Sequence, residues 1–500
     1  MADTKSPPGT TVISPAESIG GADSDHPDPL PVHSEPHSSR WRRVVGRFWD
    51  SLDGDPQQRR YVQKLDSYLF SYICLGYFIK YLDQTNYINA FVSGMREDLQ
   101  LYGNERNLLG TYFNIGIIIG TVPSQMIQLR FIRPSIWIPS CELLWSILVM
   151  AMASAKKVET LYSLRFLVGL LESCSFPGYA ALLGGWYGPG ELSKRVAIFE
   201  QTSAIASMFS GYLQAALYTG LNGHLGLPGW KWLFIFDGII SIPIALWGFF
   251  AIPDLPHTTR AFYWTEDDKK YGVERIERIG QKPPQPLTLK AIRKVYSNWR
   301  LWVFIIPYLM VAQAGSGTNY FNLWLKASGY SVVQTNVLPT AGNALSIVSA
   351  FVFGIIADAT GYRLGAIIAV QLLVMLSNIL LSIWDIPTPA LLFAFYLSYV
   401  GAAAQPIVIA WGSQLNRGDP NLKQLLVATG NIFTYSFSTW LPLVLFPTYD
   451  APKYDYGYQI LILFGGLAIL GSTLLYVLQQ RDENKAPELD ETTPEDDIHR

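Results

Sequence analysis

Gly354-Ile-Ile-Ala-Asp358-Ala-Thr-Gly361-Tyr-Arg363 lies between two apolar runs, one starting near Thr335 and the other near Leu364. Each run is long enough to cross a bilayer core, which needs about 20 apolar residues as a helix. Glycine permits a tight turn between them, and Asp358 and Arg363 can pair or cap the helix ends. Runs of the same kind start near Ser67, Asn107, Ser135, Glu159, Val196 and Trp230, and again near Arg300, Pro387, Lys423 and Gly457. Twelve spans in two sets of six predict an all-α membrane protein, because only helices and closed barrels satisfy their backbone in lipid.

Composition points the same way. Of 76 charged residues, 44 crowd into residues 1–66, 254–297 and 480–500, which leaves 32 for the other 369. A net charge of −2 gives no basic excess for binding nucleic acid. Cys74, Cys141 and Cys174 all fall inside apolar runs and form no disulfide framework, and the six histidines all lie outside those runs. No metal site, cofactor or enzyme activity is therefore expected.

The expected organisation is a disordered cytosolic tail over 1–58, a first six-helix half over 59–253, a cytosolic central loop over 254–298, a second half over 299–479 and a cytosolic tail over 480–500. Within the first tail, Trp41, Val44, Val45, Phe48, Trp49 and Leu52 recur at helical spacing among Arg40, Arg42, Arg43 and Arg47. That pattern suits an amphipathic basic helix over 41–52, lying on an anionic leaflet or on the protein's own cytoplasmic face. Lysines and arginines in the short loops tie at seven on each face. Arg59, Arg60 and Lys64, with the basic residues of the central segment, break the tie and place both termini in the cytoplasm.

Thr85-Asn-Tyr-Ile-Asn89 in the first span reappears as Thr318-Asn-Tyr-Phe-Asn322 in the seventh. Parallel halves related by an axis along the membrane normal are a transporter arrangement. Ionisable residues inside spans are costly and mark substrate or ion paths by default. They are Lys80 and Asp83 in the first span, Glu142 in the third, Arg165 and Glu172 in the fourth and Asp237 in the sixth. Lys80 and Asp83 are three apart and can neutralise each other, whereas Arg165 and Glu172, seven apart, share a face without touching. Glu142 and Asp237, nearer helix ends, read as packing groups. Asn86, Asn114, Gln313, Asn319, Asn343, Gln405 and Asn431 are polar groups deep in apolar runs, able to line a cavity or join helices.

The loop at Gly354, Asp358, Gly361 and Arg363 matches the G-x-x-x-D-x-x-G-x-R signature of the major facilitator superfamily, so it is expected to act as a gating loop. Asp83-Gln-Thr-Asn86, Asn89-Ala-Phe-Val-Ser-Gly-Met95 and Arg165-Phe-Leu-Val-Gly-Leu-Leu-Glu172-Ser-Cys-Ser-Phe-Pro-Gly178 together resemble the anion:cation symporter family of that superfamily, in its fungal allantoate and pantothenate permease branch. Gly229-Trp-Lys-Trp-Leu-Phe234, Ile252-Pro-Asp-Leu-Pro256 and Asn322-Leu-Trp-Leu-Lys326 extend the likeness, which runs from about Arg59 to Gln479.

The resemblance implies proton-coupled movement of an organic carboxylate, with Asp83 and Glu172 as proton-coupling acids and Arg165 as the anion ligand. One position departs from the family motif: Gln84 stands where an arginine is usual, and either Lys80 one turn earlier supplies the charge or the site takes a substrate with fewer negative charges. Lys80, Asn86, Gln313, Asn319, Asn343 and Gln405 complete the expected substrate site. Protonation of Asp83 or Glu172 is expected to free Arg165 from internal pairing. The expected function is plasma-membrane symport of a small organic anion, a pantothenate-like vitamin first. Export of a carboxylated metabolite by proton antiport and substrate sensing without transport are the alternatives. The partners are then the anion, protons and the lipid bilayer, with no nucleic acid and a monomeric chain.

Overall fold

Helices begin where the chain supplies their first turn. Pro134 and Pro189 open two of them at positions whose N–H would have no partner in any case. Ser331 Oγ accepts from the Gln334 backbone N–H at 3.2 Å while Gln334 Oε1 accepts from that of Ser331 at 3.1 Å, a reciprocal cap on another. The computed structural model describes residues 55–278, 289–415 and 420–490. The basic stretch expected as a helix over 41–52, most of the first tail and the end of the second lie outside the described residues.

Among the described residues there are twelve long helices and no strand. The first set is α1 (residues 56–98), α2 (Glu105–Arg130), α3 (Pro134–Ser154), α4 (Val158–Trp186), α5 (Pro189–Leu221) and α6 (Gly229–Ala251). The second is α7 (Trp299–Ala327), α8 (Val332–Thr360), α9 (Arg363–Ile383), α10 (Thr388–Leu415), α11 (Pro420–Leu445) and α12 (Gly457–Arg481). Eight of these are long and apolar enough by themselves to cross a membrane; α1, α2, α5 and α11 are not among the eight. Those four carry polar residues on the faces they turn toward the interior or the opposite half, which lowers their mean hydropathy without shortening them.

Small residues let the helices approach. Gly116 and Gly120, four apart on α2, face the α4 backbone from Phe166 to Ser173, and a Cβ at Gly116 would meet the Phe166 carbonyl. Gly169 on α4 has the reciprocal problem with the Phe113 carbonyl. This is close membrane-helix packing through paired glycines. The helix in α1 breaks at Gly94, whose φ of 115° suits glycine. A 3-10 segment, Gly315–Tyr320, interrupts α7.

The two sets meet chiefly through α5 with α8 and α2 with α11. Hydrogen bonds joining them gather on the side opposite the termini. Glu97 pairs with Lys326 at 2.6 Å, Ser93 accepts from Asn336 at 2.9 Å, and Asn89 accepts from Asn322 at 3.0 Å. Asn107 donates to the Phe446 carbonyl at 2.6 Å, Thr111 to that of Thr439 at 2.6 Å, and Asn114 to that of Ser438 at 3.1 Å. The far face is therefore closed in this conformation.

On the terminal face, the surface helix Glu266–Arg278 is tied to the first set. Lys64 pairs with Asp268 at 2.7 Å, Arg275 with Glu191, and Arg275 also donates to the Trp186 carbonyl at 3.1 Å. Beside them Arg195 grips both Asp66 oxygens, at 2.6 and 2.7 Å. The loop between α8 and α9 corrects one expectation. Helix α8 runs through Gly354 to Thr360, so Gly354 is not in the turn and a Cβ there would meet open space. Gly361 alone makes the turn, at φ 67°. Arg363 pairs with Asp358 at 3.7 Å and donates to Gln414, which fastens the loop to α10.

Candidate functional site

Two polar layers occupy the middle of the molecule. Between the halves, below the closed face, is a cavity of about 110 Å³ lined by Thr85, Asn89, Ser207, Thr318, Asn319, Asn322, Asn336 and Asn343 among others. The expected Asn319 and Asn343 are in it, and Asn343 donates to the Pro339 carbonyl of its own helix. The repeated block supplies both sides of the wall, Thr85 and Asn89 from α1 and Thr318, Asn319 and Asn322 from α7. Asn86 is not in the lining. It is fully buried in the first half, donating to Asp237 at 2.6 Å and accepting from Ser210 at 2.6 Å.

The second layer is charged and belongs to the first half. Arg165 is 2% exposed, with its guanidinium held between the rings of Tyr87 at 4.3 Å and Phe113 at 4.4 Å. Each such desolvated contact stabilises the cation by roughly 2 kcal/mol. Its Nε donates to the Leu109 carbonyl at 3.5 Å. Among the described residues it makes no ion pair, so it needs no release from internal pairing, contrary to expectation. The acids stay in its field without touching it.

Asp83 is also fully buried, and neither of its oxygens has a hydrogen-bond partner. The expected neutralisation by Lys80 does not occur. The charge of Lys80 is felt instead by Glu172 of α4 and Glu200 of α5. Glu172 accepts from the Gln84 amide at 3.0 Å through one oxygen, and its other oxygen is buried without a partner. The residue that departs from the family motif thus contacts one of the two acids, as a neutral donor. Asp83 lies against Asp237 of α6, which sits well inside its helix and meets another charged group rather than packing atoms.

In the second half, Gln313 donates to Ser438 Oγ at 3.3 Å and to the Thr434 carbonyl at 3.4 Å. Gln405 lies beside Tyr308, whose hydroxyl donates to Asn431 at 2.8 Å. Neither glutamine lines the cavity. Glu142 is buried in the first half and accepts from the Tyr72 hydroxyl, apart from the other acids.

Several residues of the site escaped the sequence reading, Ser207 and Asn336 of the cavity wall among them. Arg106, counted there as a loop charge, is 3% exposed, donates to the Asn319 carbonyl at 2.5 Å and lies over the Tyr320 ring at 5.4 Å. Glu200 stands four residues into the run that starts near Val196, and its charge was the available signal. Asn322 is the last residue of the repeated block and was quoted there only as part of it.

A family model described as Major Facilitator Superfamily matches residues 73–418. A curated relative, "MFS transporter PfmaC" of Pestalotiopsis fici, is 36% identical over 414 residues, which is 81% of this chain and 77% of that one. The "Pantothenate transporter liz1" of Schizosaccharomyces pombe is 32% identical over 448 residues, 88% of this chain and 86% of that one. Among solved structures, a bacterial homologue of the human lysosomal transporter Spinster, in an inward-facing and unoccupied conformation, has a TM-score of 0.57 at 14% identity. It covers 83% of this chain and 97% of that one.

Proposed function

The chain belongs to the major facilitator superfamily of membrane transporters, and from that premise we propose that it imports a small organic monocarboxylate, pantothenate-like, together with protons. The observation that carries this reading is Arg165, a buried guanidinium stacked between two rings and free of any carboxylate partner among the described residues. Guanidinium groups bind carboxylates with two parallel hydrogen bonds, and stacking holds the plane in which those bonds form. Asp83 and Glu172 are the proton-coupling acids. A buried carboxylate without a cation partner is driven toward its neutral form, so binding a proton from one side and losing it to the other is the low-cost cycle.

Lys80 is the second cation of the site, balanced between Glu172 and Glu200. Asn319 and Asn343 line the cavity and are polar contacts for the rest of the substrate, while Asn86, Gln313 and Gln405 act on it through neighbours. The loop of Asp358, Gly361 and Arg363 gates the terminal face. The likeness to a pantothenate transporter over most of both chains supports the choice of substrate and, with the basic residues before α1, a plasma-membrane location with cytoplasmic termini. In that orientation the closed far face makes this an inward-facing conformation.

The test is uptake of labelled pantothenate by cells lacking their own carrier, at two external pH values, with Arg165→Ala alongside. Uptake that rises at acid pH and is lost in the variant is expected. Absence of uptake, with the protein at the cell surface, would move the reading to another carboxylate or to export.

A further inference from the structure

Asp83 and Asp237 present a problem that no neighbour solves. Their carboxyl groups face each other within hydrogen-bonding reach, from α1 and α6. Both residues are essentially unexposed, and three of their four oxygens, both of Asp83 and Oδ1 of Asp237, have no hydrogen-bond partner. The charged groups near the pair are Lys80 on α1, Arg165 and Glu172 on α4 and Glu200 on α5; among the described residues none bonds to either acid. Two facing carboxylates in an apolar interior cannot both stay ionised, and one proton between them satisfies oxygens that otherwise have nothing.

The fourth oxygen, Asp237 Oδ2, ends a chain of hydrogen bonds that starts in the other half. Asn322 of α7 donates to Asn89 at 3.0 Å, and Asn89 donates to Ser210 of α5 at 2.7 Å. Ser210 donates to Asn86 at 2.6 Å, and Asn86 donates to Asp237 Oδ2 at 2.6 Å. Every donor points toward Asp237. Oδ2 is therefore an acceptor, and a proton shared by the pair sits on Asp83 or on Asp237 Oδ1. The opposite end, Asn89 with Asn322, is one of the contacts that closes the far face.

We propose that Asp83 and Asp237 share one proton, and that the chain through Asn86, Ser210 and Asn89 makes its presence a condition for the Asn322 contact that closes the far face. With the proton in place, Asp237 stays where Asn86 can reach it. When the proton leaves, the two carboxylates repel, Asp237 turns away, and each link loses the acceptor that oriented it. The far face is then free to open. The inference deepens the proton-coupled reading above and rests on it for its direction, while adding Asp237 as a positioning acid and a four-bond route to the gate.

The test reads the gate without substrate. Spin labels are placed at Tyr102→Cys and Tyr449→Cys, exposed on the far-face loops of the two halves, in the full chain with Cys74, Cys141 and Cys174 replaced by serine and reconstituted in lipid. The fraction with the labels far apart should rise as pH is raised. Asp237→Asn and Asn89→Ala should each lose that response, Asp237→Glu should keep it with a displaced midpoint, and Glu142→Gln, off the chain, should keep it unchanged. A wild-type response surviving in Asp237→Asn, or in Asn89→Ala, would overturn the proposal. Labelled pantothenate uptake by the same variants separates the two readings. A pH-sensitive gate without pantothenate uptake removes the substrate and leaves the shared proton, whereas pH-driven uptake intact in Asp237→Asn removes the shared proton and leaves the symporter.

Discussion

Arg165 shows what one side chain can do with its surroundings fixed. Its guanidinium is planar and lies over the Tyr87 and Phe113 rings, so an ammonium at the same place would keep the charge and lose both the plane and the paired donors. Arg165→Lys should weaken carboxylate binding by roughly 1.5–3 kcal/mol, the worth of a hydrogen bond to a charged group, or about 10- to 150-fold in affinity. Binding of labelled substrate to purified protein measures it, and an unchanged affinity would remove Arg165 from the site. The sequence named Asp83, Arg165 and Glu172 because a charge within an apolar run is conspicuous by itself. It did not pair Asp83 with Asp237, or turn Lys80 toward Glu172 and Glu200. Those contacts depend on how one helix is rotated against another, and spacing along a single helix carries no such information.

At the scale of elements, the α2–α4 crossing depends on atoms that are missing. Gly169 meets the Phe113 backbone where a side chain would have to stand, so Gly169→Leu should push the helices apart and destabilise the protein by at least about 1–3 kcal/mol, as overpacking does. A lowered thermal midpoint of the detergent-purified protein checks this. The same crossing carries Phe113 against Arg165, so substrate affinity should fall with stability. The helix Glu266–Arg278 depends instead on charge. Partial burial works against the Asp268 carboxylate, but hydrogen bonds from Lys64 and Thr265 outweigh it and hold the acid below its usual range. A depressed acid stabilises the folded form above its unfolded value, near 3.9, and loses that contribution as pH falls through its folded value. Hydrogen exchange in Glu266–Arg278 should accordingly quicken only at strongly acid pH, and Lys64→Ala should bring the onset to milder acidity. Helix existence and order could be read from apolar runs, which is why all twelve long helices were found. The loop was read as starting at Gly354 because the signature gives spacing, whereas the end of α8 is set by the left-handed residue at Gly361.

Across the whole molecule, the halves are held at one face by contacts of unequal worth. Lys326 and Glu97 are half in water, and an exposed pair of this kind contributes about 0.2–1 kcal/mol. Lys326→Ala should shift the ratio of closed to open far face by less than about fivefold, whereas Asn322→Ala, which leaves Asn89 with a buried oxygen unpaired, should shift it further. Distances between labels on the far-face loops measure both. Asn89 and Asn322 stand 233 residues apart, the same interval that separates the two copies of the repeated block, so each is bonded to its own counterpart. Isologous dimers do this on their two-fold axes, where a surface must be complementary to itself. Asparagine suits such a place, since its amide offers both a donor and an acceptor. A single codon, once duplicated, supplies both partners, and thereafter neither can change alone without stranding the other.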